Sequence, residues 1–194
     1  MTFVKIKLKQ IKFVEILTTK RGKIMKIEIL NDSIINSKAD AIVNAANKYL
    51  SAGGGVCGAI FEKAGYDKLQ AECNEIGYCE TGYAVITKGY DLCKYIIHSV
   101  GPDYYFDPNP SELLKSAYLS SLKLADEKGL KSIAFPCIST GIFGYPLKEA
   151  TKIALNTVLN FNSQNLETCY LYCYTQEEYE IYLEFYKENK KIST

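Results

Sequence analysis

The chain has 194 residues, enough for one domain and too few for two full-sized ones. Its 47% hydrophobic and 23% charged residues exclude wholesale disorder, and no apolar run reaches the roughly 18 residues a membrane helix needs. With 23 basic and 22 acidic residues the net charge is +1, which excludes a large cationic face, so neither a membrane nor a nucleic acid is expected as partner.

The first 26 residues depart from that balance. They carry eight basic residues and one acid, leaving the remainder at −6. Val4, Ile6 and Leu8 alternate with Lys5, Lys7 and Lys9, the period of an extended segment with one apolar edge. No apolar h-region with a small-residue cleavage site is present, so a signal peptide is not expected. The preferred reading is a basic extension over residues 1–24 ahead of a start at Met25. The other is a basic arm for an anionic partner.

From Met25 on, strands and helices alternate. Met25 to Leu30 and Asp40 to Asn44 are apolar enough for strands, and helices are expected over Val56–Ala64 and Asp67–Ile76. Tyr83–Thr87 and Tyr95–Val100 are β-branched and aromatic runs. Asn109-Pro110-Ser111-Glu112 predicts a helix start, with Asn109 capping and Glu112 bonding back; Gly129 ends that helix. Lys131–Cys137 predicts a strand and Pro146 opens another helix. Thr168–Tyr174 has the near-continuous apolar character of a buried central strand, and Glu177–Lys187 is a final amphipathic helix. This pattern predicts one α/β domain over residues 25–190, with helices on both faces of a sheet.

Seven cysteines (Cys57, Cys73, Cys79, Cys93, Cys137, Cys169 and Cys173) are odd in number and form no CxxC pair. A disulfide framework is not expected, and a reducing cytoplasm fits better. His98 is the single histidine, which argues against a zinc site. In a strand it is expected as a hydrogen-bonded core residue.

The chemistry concentrates in two glycine-rich stretches that each follow a strand and lead into a helix. One is Asn44-Ala-Ala-Asn47 with Gly53-Gly54-Gly55-Val56-Cys57-Gly58, the other Pro136-Cys-Ile-Ser-Thr-Gly-Ile-Phe-Gly-Tyr-Pro146. Glycines let consecutive backbone N–H groups face one ligand, and the helix N-terminus beyond adds its positive end. Two such loops on neighbouring strands would grip a diphosphate, with Ser139 and Thr140 as extra donors. Gly53, Gly55 and Gly58 also satisfy G-x-G-x-x-G, but eight residues separate Gly53 from the strand end near Asn44, so a nicotinamide-binding loop is not expected.

Four motifs, Asp40-Ala-Ile-Val-Asn-Ala-Ala-Asn47, the triple glycine with Val56 and Gly58, Ile97-His-Ser-Val-Gly-Pro102 and Phe135–Pro146, resemble those of macrodomains. The similarity is greatest to the MacroD-type ADP-ribosyl hydrolases of bacteria and eukaryotes and covers residues 25 to about 187. It implies a three-layer α/β/α fold around a mixed, mostly parallel six-stranded sheet, with ADP-ribose in a cleft at the strand ends. Carried over by position, it implies that Asp32, beside Ser33 and Ile34, accepts from the adenine amino group, and that Tyr174 stacks on the base. Gly54, Gly55 and Val56 would line one side of the diphosphate, and Ser139, Thr140, Gly141, Ile142 and Phe143 the other, with Phe143 walling the distal ribose. Asn47 would bind that ribose, and Asn44 would tie the loop. Cys57 stands where MacroD-type hydrolases usually carry an aspartate thought to orient or activate water.

The resemblance implies binding of ADP-ribose or an ADP-ribosylated protein. It also implies hydrolysis of ADP-ribosyl esters, namely ADP-ribosylated Asp or Glu and O-acetyl-ADP-ribose, with Asn47 and Cys57 as catalytic candidates and no metal or cofactor. Two alternatives are a reader without turnover and an ADP-ribose-1''-phosphate phosphatase. The domain is expected to act as a monomer.

Overall fold

The segment that reads as a near-continuous apolar run, Thr168–Tyr174, forms a strand paired in parallel on both sides and covered on both faces. The structure, a computed structural model, describes residues 12–16 and 25–192. The alternation expected over Val4–Lys9 lies outside them. The strands are β1 (Lys12–Ile16), β2 (Lys26–Asn31), β3 (Ala41–Ala46), β4 (Ala84–Lys88), β5 (Tyr95–Val100), β6 (Ser132–Phe135) and β7 (Thr168–Cys173). The helices are α1 (Gly55–Ala64), α2 (Tyr66–Ile76), α3 (Pro110–Glu127), α4 (Leu147–Leu159) and α5 (Gln176–Ile192).

The sheet order is β1-β2-β7-β6-β3-β5-β4. The strands β2, β7, β6, β3 and β5 run parallel, and β4 is antiparallel at one edge. These six form the expected mixed sheet. A seventh strand was not expected: β1 pairs antiparallel with β2, Lys12 opposite Leu30 and Ile16 opposite Lys26. Strand pairing thus reaches into the stretch read as an extension, because the outer edge of β2 would otherwise leave a row of unpaired N–H and C=O groups.

Alternation along each strand divides the core between two layers. Ala41, Val43 and Ile97 point to the face covered by α3, α4 and α5, where Leu114, Tyr118, Ala154 and Tyr182 pack. Ile42, Ala46, Ile96 and Val100 point to the other, under α1 and α2, with Ile60, Phe61 and Leu69. Burying a side chain such as Phe61 in this layer contributes about 1.5–3 kcal/mol. The architecture is therefore the three-layer α/β/α arrangement.

Asn109 does not cap α3 as expected. It sits in the left-handed region at φ 51, and its side chain makes no capping bond. The following proline disfavours the right-handed helical region at this position, and asparagine tolerates the left-handed alternative. Its carbonyl instead accepts the N–H groups of Glu112 and Leu113.

Candidate functional site

Parallel pairing sends the C-terminal ends of five strands to one edge of the sheet. In spatial order the segments there are Asp32 after β2, Tyr174 after β7, residues 136–146 after β6, residues 47–54 after β3, and residues 101–107 after β5. From β3 the chain passes to α1 on one face, and from β6 to α4 on the other. A crevice opens where neighbouring strands lead to opposite faces, the usual ligand position in such sheets.

At the β2–β7 end, Asp32 N–H donates to Cys173 O at 3.1 Å, which sets Asp32 beside Tyr174. One Asp32 carboxylate oxygen accepts from Ser33 N–H at 2.7 Å and from Asn36 Nδ2 at 3.0 Å. Ile34 is buried, leaving its backbone as the part that can meet a ligand. Tyr174 is 79% exposed, and its N–H is held by Glu178 Oε2 at 2.7 Å. An exposed ring on a fixed backbone is suited to stacking.

The loop after β3 exposes Gly53, Gly54 and Gly55 at the start of α1. Gly54 is the N-cap, Gly55 takes φ +58, and no side chain caps this helix or places an acid in its first turn. Its positive end therefore remains available to an anion. The loop after β6 faces it. Ser139 takes φ 66, and its carbonyl accepts Tyr145 N–H at 3.0 Å. The hydroxyls of Ser139 and Thr140, expected as donors to a diphosphate, are engaged differently. Thr140 Oγ1 donates within the loop, to Cys137 O at 3.1 Å. Ser139 Oγ is buried without a hydrogen-bond partner. Gly141 and Ile142 are exposed, Ile142 at 99%, and Phe143 is half-buried. Tyr118, on the buried face of α3, donates to Pro136 O at 3.4 Å and accepts from Ile138 N–H at 3.3 Å, pinning the start of the loop.

The loop-tying role expected of Asn44 falls to Asn47. Asn47 ties the loop: its Oδ1 accepts from Tyr49 and Ser51 N–H, and its Nδ2 donates to Ser51 O at 2.8 Å. Asn44 is buried and points under α1 and α2 instead. Its Nδ2 lies 3.1 Å from His98 Nδ1. That bond assigns the His98 proton to Nε2, which Thr87 Oγ1 accepts at 3.0 Å while passing its own proton to Lys88 O. His98 is thus a fully buried core residue, and burial lowers its pKa to about 4. Cys57, on the first turn of α1, is 6% exposed. Burial raises its pKa; Gly53 N–H and the Asn44 amide act the other way without reversing it. The thiol is protonated at neutral pH. All seven cysteines are free.

The Macro domain family profile matches residues 43–154, more than half of the chain. The chain is a macrodomain. It is 50% identical over 143 residues to the ADP-ribose glycohydrolase MACROD2 of Xenopus laevis, covering 72% of this chain and 34% of that longer protein. It is 44% identical over 165 residues to the O-acetyl-ADP-ribose deacetylase of Escherichia fergusonii, covering 81% of this chain and 93% of that one. Among solved structures, an Oceanobacillus iheyensis macrodomain variant with ADPR superposes at a TM-score of 0.84, with 34% identity, covering 92% of this chain and all of that one.

One neighbour of the macrodomain's candidate site was not singled out from sequence, the part of the loop after β5 that lies beyond Pro102. Tyr104 N–H donates to Phe143 O at 2.9 Å, and Asp107 pairs with Lys48 at 3.6 Å, so residues 103–107 bridge the other two loops. The run Tyr104-Tyr105-Phe106 was its only sequence signal. Gly58 shows how closely the glycine loop is packed. A Cβ there would lie 2.6 Å from Gly53 O, a backbone atom. Glycine to alanine inside a helix ordinarily gains about 1 kcal/mol, but displacing this carbonyl costs about 1–3 kcal/mol. Gly58→Ala is therefore expected to lower stability in denaturant titrations. It should also weaken ADP-ribose binding by calorimetry, about tenfold, because Gly53 moves with its loop.

Proposed function

We propose that the cleft binds ADP-ribose and hydrolyses ADP-ribosyl esters, including ADP-ribosylated Asp or Glu on proteins and O-acetyl-ADP-ribose. The observation that carries this reading is the opposition of two backbone-lined loops at the β3–β6 crevice, with the uncapped N-terminus of α1 on one side. Backbone donors and a helix end suit a diphosphate. Tyr174 and Asp32 at one end supply a ring for adenine and a carboxylate beside it. The names and identity of the relatives support hydrolysis. Asp32 is remote from the distal ribose along the sheet edge, and the Cys57 thiol is protonated. The cleft would thus act mainly by holding the ester and a water together, with Gly54–Val56 and Ser139–Phe143 fixing the diphosphate. Asn47 supports the distal ribose through the loop it ties, and Cys57 shapes the floor. Water then attacks the anomeric carbon, and the acyl oxygen leaves.

Incubation with automodified ADP-ribosylated protein tests this. Release of free ADP-ribose is expected, with prior retention of the modified protein. Retention without release would favour the second reading, a binding module, for which the protonated thiol at position 57 is the specific observation. Absence of both would overturn the ADP-ribose reading.

A further inference from the structure

Resting on the ADP-ribosyl ester reading, the order of segments along the sheet edge gives the cleft a direction. Tyr174 and Asp32 mark the adenine end at β7 and β2; the opposite end lies towards β3 and β5. The group to which the distal ribose is joined must therefore leave the cleft over residues 101–107. That segment is held rigidly. Asp103 N–H donates to Asp107 Oδ2 at 2.9 Å, Tyr105 N–H to Asp103 Oδ1 at 3.1 Å, and Asp107 N–H to Asp103 O at 3.0 Å. Tyr104 and Lys48 anchor it to the two ligand loops. Tyr105 lies against Gly144, where an added Cβ would come within 2.8 Å of its ring.

This rigid segment nevertheless presents apolar surface to water. Tyr105 is 76% exposed and Phe106 87%, beside a loop whose Ile142 is 99% exposed. A fixed aromatic on the lip of a cleft costs little ordering entropy when a partner covers it. The charge nearby selects the partner's class. Lys48 faces both Glu80, at 4.0 Å, and Asp107, with Asp103 in the same loop. The excess of carboxylates disfavours a phosphodiester backbone and tolerates a polypeptide.

We infer that the Phe106 lip is the docking surface for the polypeptide carrying the ADP-ribosyl group, and that it selects apolar residues next to the modified carboxylate. Phe106 then sets which modified proteins are processed, without touching the reacting atoms.

The test uses the full chain and four substrates. These are a glutamate-linked ADP-ribosyl peptide flanked by leucines, the same peptide flanked by serines, O-acetyl-ADP-ribose, and an ADP-ribosylated DNA oligonucleotide. The wild type is expected to prefer the leucine-flanked peptide by about tenfold in kcat/KM, the discrimination a partly buried apolar contact supplies. Phe106→Ala should erase that preference and leave O-acetyl-ADP-ribose turnover unchanged. Survival of the preference in Phe106→Ala, an equal loss on the small ester, or faster turnover of the oligonucleotide than of either peptide would each overturn the inference. If the wild type turns over none of the four, the hydrolase reading falls separately. The lip is then decided by whether Phe106→Ala weakens binding of the leucine-flanked peptide but not of free ADP-ribose.

Discussion

Cys57→Asp is expected to raise ADP-ribosyl ester hydrolysis by about a hundredfold, while Cys57→Ala keeps most of the wild-type rate. The thiol is buried on the first turn of α1, its pKa is raised, and it is therefore a neutral group at physiological pH. It cannot take a proton from water there, so its removal loses shape rather than a base. A carboxylate at the same place would accept hydrogen bonds from water and sugar hydroxyls, and the α1 N-terminus would help keep it ionised. The pH profile separates this from thiolate catalysis. With a neutral thiol the wild-type rate stays flat from pH 6 to 8. A rate that climbs with pH and vanishes in Cys57→Ala would sink the shaping role. Alkylation that abolishes turnover unless ADP-ribose protects would do the same.

Acid should weaken the fold through His98, before the carboxylates titrate. The folded pKa of about 4 lies below the ordinary value of 6.5, because charging the ring inside the core has no solvent to support it. Between those values the unfolded chain binds a proton that the folded one refuses, so stability rises with pH up to about 6.5 and falls as pH drops towards 4. The full difference is about 3 kcal/mol at 1.36 kcal/mol per pKa unit. Denaturant titrations from pH 7.5 to 4.5 should show most of that loss. His98→Gln should be less stable at pH 7 but nearly flat across the interval, since an amide can still bond Asn44 and Thr87 without titrating. An equally steep profile in His98→Gln would assign the acid sensitivity to another group.

Much of the fold was legible because local rules and tertiary context agree. Thr168–Cys173 pairs in parallel on both sides and packs into both core layers, so its apolar run is near-continuous and could be read directly. The two glycine loops were legible for a similar reason. A positive φ at Gly55 and the open start of α1 call for glycine whatever the rest of the chain does. The order of strands and loops therefore pointed to residues 44–58 and 136–146 as the candidate site.

What tertiary structure alone decided are the pairings between distant segments. Sequence spacing places Asn44 and Asn47 in one motif, but only the packing of β3 against β5 turns Asn44 onto His98, leaving Asn47 to tie its own loop. The helical position of Cys57 did not fix its protonation; burial beneath the glycine loop did. The edge strand β1 forms because β2 has an open edge, which no residue within Lys12–Ile16 reveals. Likewise, Tyr104-Tyr105-Phe106 reads as an ordinary aromatic run. It comes to lie beside the cleft only because Tyr104 N–H bonds Phe143 O and the neighbouring Asp107 pairs with Lys48, partners about 40 and 60 positions away, and local propensity carries no record of contacts at such separations.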